Sequence, residues 1–160
     1  MIRSKLQITT TIIASVVLAA CSDTMATAPK TQTVGPPSVV SVPRSGALHL
    51  VAECSQYTGL ADSFCTITSS NVRAITVGSR VVYLQPAGTT SLDSDIVLVV
   101  GPGNYALGHV TLDFAAGAGT VTIRGGTGHF TSFHAKATVS ALGGPEWAWV
   151  GTYRFGGHED

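Results

Sequence analysis

The chain is 160 residues long, 44% hydrophobic and only 11% charged, which excludes a disordered charged tail and fits one domain with a buried core. Nine basic residues balance nine acidic ones, so the formal charge of zero offers no basic surface for a phosphodiester backbone, and nucleic acid is not an expected partner. Eighteen glycines, seven prolines and short Val- and Thr-rich runs suit strands and turns better than long helices.

The N-terminus carries Arg3 and Lys5 ahead of an apolar stretch, Ile12 to Ala20, that is too short to cross a bilayer. This pattern marks a signal peptide over residues 1–20. The residues at its end, Leu18-Ala19-Ala20-Cys21, resemble the lipobox of bacterial lipoproteins, in which small residues admit the peptidase and the cysteine thiol is acylated. The resemblance implies that Cys21 is the first mature residue and that its acyl chains attach the protein to a membrane of the cell envelope without a transmembrane helix. One chain binds only marginally, whereas two or three, at about 0.8 kcal/mol per buried methylene, hold firmly. Ser22 stands where an aspartate would favour inner-membrane retention, which points to the outer membrane if the cell has two. Loss of Arg3 and Lys5 leaves seven basic and nine acidic side chains, a formal charge of −2.

Residues 21–46 hold four of the seven prolines, Pro29, Pro36, Pro37 and Pro43, and read as a lipidated N-terminus followed by an extended tether. Residues 47–156 are expected to form the folded domain, and 157–160 a short tail. In chain order the strand-like runs are Ala47–Ala52, Phe64–Ser69, Arg80–Leu84, Asp95–Val100, Leu107–Phe114, Thr120–Arg124, Phe130–Leu142 and Trp147–Phe155. Glycine-rich corners separate several of them, notably Gly101-Pro102-Gly103-Asn104 and Gly125-Gly126-Thr127-Gly128. The pattern predicts an all-β domain, a small antiparallel β-barrel of about eight strands, with a sandwich as the other arrangement.

Alternation assigns the faces. Val110, Leu112 and Phe114 share one side, opposite His109, Thr111 and Asp113; Val121 and Ile123 oppose Thr122 and Arg124; Phe133, Ala135, Ala137 and Val139 oppose His134, Lys136 and Thr138. In the last strand Trp147, Trp149, Tyr153 and Phe155 oppose Ala148, Val150 and Arg154, so apolar groups occur on both sides and suggest an oligomer contact or a covered wall.

Cys54 and Cys65 lie eleven positions apart in a chain read as exported, so a disulfide is expected. Neither thiol has a neighbouring histidine, and the five histidines, His49, His109, His129, His134 and His158, do not converge in the sequence; no metal or other cofactor is expected. Gly101–Asn104 follows an apolar strand as a phosphate loop would, but the chain returns to strand composition instead of opening a helix, so a hairpin turn is favoured. Trp147, Trp149, Tyr153 and Phe155 form the densest aromatic cluster and, with His109 and His134, are the candidate lining of a ligand cavity. No catalytic residue is assigned. Asp113 and Lys136 join His109 and His134 as acid–base groups only if the polar faces line that cavity.

The segment Gly125-Gly126-Thr127-Gly128-His129-Phe130, the long strand after it and Trp149–Phe155 resemble the small β-barrel superfamily of allene oxide cyclases and dirigent proteins. The resemblance covers about fifty residues and departs at Thr131-Ser132-Phe133-His134-Ala135, so no catalytic position transfers. It implies a barrel with an interior cavity and a homo-oligomer, a trimer by likeness. Together these readings describe a lipid-anchored, non-catalytic module for an apolar small molecule or a partner protein. The alternatives are a cyclase or isomerase acting inside the barrel, and a structural or interaction protein with a solid core.

Overall fold

Side chains that alternate between apolar and polar, interrupted at glycine corners, give eight antiparallel strands: β1 (Ser45–Glu53), β2 (Phe64–Ser70), β3 (Arg80–Tyr83), β4 (Ser91–Gly101), β5 (Asn104–Asp113), β6 (Ala118–Gly126), β7 (Phe133–Gly143) and β8 (Glu146–Phe155). The computed structural model describes residues 44–156. The expected signal peptide, lipobox with Cys21, tether up to residue 43 and tail with His158 lie outside the described residues. The strands follow one another around a closed barrel. The ring shuts where β8 pairs with β1 along its whole length, from Ser45 opposite Arg154 to Glu53 opposite Glu146. Each described strand has a neighbour on both sides, although Ser91–Asp95 of β4 runs beyond β3, and the core lies inside the ring.

The inward set is Val- and Ile-rich. Ile67, Leu92, Ile96, Leu98, Val110, Val121, Phe133 and Val139 are all buried. Burying each such side chain contributes about 1.5–3 kcal/mol, and β-branched residues fit the pleat with little loss of rotamer freedom. The expected faces of β6 and β7 hold: Val121, Ile123, Ala135 and Ala137 point in, while Arg124, Lys136 and Thr138 are exposed.

Three expectations are corrected. Ser45 and Gly46, assigned to the tether, are the first residues of β1 and pair with Arg154 and Tyr153. Phe130, read as strand, sits in a 3₁₀ turn (Gly128–Phe130), because Gly128 takes a left-handed φ of 56° that ends extended backbone there. Phe114, placed inward with Val110 and Leu112, lies just beyond β5, where the turn carries it outward to 37% exposure. Val150 is exposed on the outer wall of the single chain, and apolar groups on both faces are better developed in β4, with Ile96 and Leu98 inside and Val97 and Val99 outside.

Candidate functional site

Because alternate strands run in opposite directions, the connections fall at two ends with different chemistry. The first end holds the β1–β2 loop, in which Cys54 and Cys65 are joined as a disulfide, as their spacing and compartment suggested. The buried Tyr83 hydroxyl donates to Cys65 Sγ at 3.4 Å, and the Tyr83 ring leans on Tyr57 with centroids 4.8 Å apart. Burial, and then the neighbouring Tyr57, pushes the Tyr83 phenol far above its ordinary value; burial also raises Tyr57. Both phenols therefore stay protonated at neutral pH. With Trp147 and Trp149 they border a cavity of only about 90 Å³, whereas a small-molecule site needs about 300 Å³ or more. The buried hydroxyls of Ser63, Ser79 and Ser94 all donate to backbone carbonyls, at Leu60, Thr76 and Asp95.

The proposed cavity residues are thus dispersed. Trp147 and Trp149 stand at the first end; Tyr153 and Phe155 belong to the second, in an aromatic cluster where Phe133 lies 4.8 Å from Phe155 and 5.3 Å from Phe130. His109 and His134 face outward, each on the polar side of its strand, so neither lines the interior. His109 is held on the outer wall between two carboxylates, Nε2 at 3.1 Å from Asp93 Oδ1 and Nδ1 at 3.0 Å from Asp95 Oδ1. His134 sits in register between Arg124 and Arg154, with Lys136 two residues further along β7. Asp113, the last residue of β5, is also exposed.

The second end carries Arg44, the β2–β3 loop, the hairpin Gly101–Asn104 and the Gly125–Phe130 segment. Gly101 pairs with Asn104, so the loop weighed as a phosphate cradle is a hairpin turn. Thr127 ties the segment to that hairpin: its Oγ1 donates to the Gly103 carbonyl at 2.9 Å and accepts from Tyr105 N at 3.2 Å, and its N–H donates to the Tyr105 carbonyl at 2.8 Å. The His129 N–H donates to Asn104 Oδ1 at 3.1 Å. Glycine is needed at Gly126, where a Cβ would overlap the Tyr105 carbonyl oxygen, and at Gly128, where one would meet Asn104 besides straining a left-handed backbone. The lock seats Phe130, 1% exposed, as a plug in the barrel end.

Beside the plug lies a recess of about 490 Å³ open to solvent. Its apolar part comes from Ala74, Val100, Phe130 and Phe155, and its polar part from Arg44, Arg73, Asn104 and His129. Sequence reasoning missed this site except for Phe155. The one signal for it was the Gly-Gly-Thr-Gly corner, whose side-chain-free positions mark where two turns meet.

A zero net charge also concealed how the charges are arranged. All six Lys and Arg of the described residues lie towards the second end: Arg44 before β1, Arg73 in the β2–β3 loop, Arg80 opening β3, Arg124 near the end of β6, Lys136 early in β7 and Arg154 near the end of β8. All six Asp and Glu lie towards the first: Glu53, Asp62, Asp93, Asp95, Asp113 and Glu146. No Lys or Arg among the described residues makes an ion pair; both such contacts are those of His109. The expectation of no basic surface is therefore corrected: the sum is zero because two opposed surfaces cancel. A third outer feature is a cross-strand apolar row, Phe64–Val82–Val97–Leu107, with Leu107 48% exposed. Comparison with protein-family models, with curated proteins and with solved structures gives no match to this chain.

Proposed function

We propose that the protein is a lipid-anchored, non-catalytic binding module of the cell envelope, whose site is the recess at the second end of the barrel and whose ligand is a small apolar molecule bearing an anionic group. The observation that carries this reading is the contrast between a filled interior, with about 90 Å³ of space, and an apolar-based recess of about 490 Å³ bordered by Arg44, Arg73 and His129. An apolar body displaces water from Phe130 and Phe155 while the anion meets the cations. A cyclase-like activity inside the barrel finds little support, since the histidines offered for it face outward and the enclosed space is smaller than such a substrate.

Titration calorimetry with dodecanoate and with dodecanol tests the recess. The expected result is saturable dodecanoate binding, weaker dodecanol binding, and about a tenfold loss of dodecanoate affinity in Arg73→Glu, the lower range for a charge-assisted contact at an exposed site. Equal affinity in the variant would remove the proposed site. Palmitate labelling of cells making the full chain tests the anchor, which fails if Cys21→Ser leaves labelling unchanged. Partner-protein binding, another copy of the chain included, is the second reading, carried by the Phe64–Val82–Val97–Leu107 row; sedimentation showing one concentration-independent monomer, unaltered by Leu107→Lys, would count against self-association.

A further inference from the structure

We infer that the second end of the barrel and the adjoining wall of β6, β7 and β8 form a docking surface for an anionic lipid bilayer, and that the barrel sits on it with the acidic end pointing away. Three observations lead there. Arg124, His134 and Arg154 occupy directly opposed positions on three neighbouring strands, with Lys136 beside them on the same outer wall. Arg124, Lys136 and Arg154, with Arg44 and Arg73 at the barrel end, have no carboxylate partner among the described residues, so their charge is not spent on ion pairs. Finally, the chain leading back towards Cys21 leaves from Arg44, at this same end.

A bilayer suits this surface better than a single small anion because the cations are spread over a curved wall and a barrel end instead of converging on one point. The formal charge of −2 for the mature chain works against docking at long range, and Glu159 and Asp160 follow β8 in the sequence, so attraction has to come from the basic side chains close to the surface. Strands of ten or eleven residues in a barrel tilted by about 40° make it about 25 Å tall, two to three times the screening length of about 8 Å at physiological salt, so a bilayer touching the basic end scarcely feels the acids at the first end, Glu53, Asp62, Asp113 and Glu146. The inference rests on the anchored reading only in bringing the barrel near a membrane.

The test uses the chain from residue 21 onward with Cys21→Ser, which carries no acyl group, so a failed anchor and a failed docking surface are read separately. Co-sedimentation compares vesicles of phosphatidylcholine alone with vesicles of phosphatidylcholine and phosphatidylglycerol. The expected result is binding to the anionic vesicles alone, abolished by high salt. Each basic side chain near an anionic surface changes partition by about fivefold, so Arg124→Gln with Arg154→Gln should lower it about 25-fold. Asp113→Asn with Glu146→Gln, at the far end, should leave it unchanged. Three results would overturn the inference: binding to both kinds of vesicle alike, an equal and opposite response to the far-end pair, which would mean that only net charge matters, or capture of a single-stranded oligonucleotide with no capture of anionic vesicles. Folding of every variant is checked by near-ultraviolet circular dichroism from the buried tryptophan and tyrosines.

Discussion

Phe130→Ala probes the plug that gives the recess its apolar base. Phe130 is 1% exposed and packs edge-on against Phe133, with centroids 5.3 Å apart, and against Phe155 at 6.4 Å. Removing a fully buried ring returns roughly 150–200 Å² of apolar surface to water, which at about 25 cal/mol per Å² is about 4–5 kcal/mol, within the range of about 3–5 kcal/mol measured for such truncations. A domain of this size is stable by about 5–15 kcal/mol, so the variant folds but keeps only part of that margin. Urea unfolding followed by tryptophan fluorescence, with a slope of about 2 kcal/mol per molar, should show the midpoint falling by about 2 M. Phe114→Ala, at 37% exposure, is the comparison and should cost under about 1 kcal/mol. A loss below about 1 kcal/mol in Phe130→Ala with an unchanged slope would refute the claim that this ring closes the barrel end.

Gly126→Ala forces a methyl group onto the Tyr105 carbonyl and should destabilise by about 2 kcal/mol or more, seen as a lower thermal midpoint, whereas Gly101→Ala, with open space around it, should be nearly neutral. The double variant Cys54→Ser, Cys65→Ser loses a cross-link spanning eleven positions, worth about 3 kcal/mol in the chain-entropy picture, and should unfold at correspondingly lower urea. The raised Tyr83 phenol makes stability depend on alkaline pH: the folded state holds its proton beyond the ordinary value of 10.0, so stability is constant below that pH and falls as the unfolded chain ionises above it. Tyr83→Phe should flatten this slope in denaturation curves taken above pH 10, and an unchanged slope would show that Tyr83 is not the group responsible.

Much of the barrel was legible because its rules are local. Period-two alternation identified β6, β7 and β8 and grouped Val121 with Ile123 and Phe133 with Ala135 on the faces that are buried, whereas in the last strand, apolar on both sides, it did not decide that Trp149 and Tyr153 point inward. The disulfide followed from compartment and spacing. What escaped the sequence depends on which way neighbouring strands run. Asp93 and Asp95 come early in β4 and Asp113 comes last in β5, yet antiparallel pairing brings all three to one end. The separation of charge therefore cannot be seen until topology is known. The recess depends on a loop, a hairpin and a chain end meeting, so Arg44, Arg73 and Asn104 carry no shared local signal. Phe130 was misread because an aromatic beside a strand favours the strand, while the left-handed Gly128 two residues earlier had already turned the chain.

The ring of strands is uneven in its joints. β2 and β3 are in register at Phe64–Val82, Cys65–Val81 and Thr66–Arg80, extended by backbone bonds from Ile67 to Ser79 and from Tyr83 to Ser63, and β1–β2 and β3–β4 are matched over four pairs each, whereas β4 and β5 are laced from Ser91–Asp113 to Gly101–Asn104. The side of the cylinder from β1 to β4 is therefore the thinly laced one, and there the amide protons should exchange with solvent soonest. The Cys54–Cys65 clasp joins the end of β1 to β2, so oxidation of the two thiols latches the first of these joints and leaves β2 and β3 held together by their ladder alone.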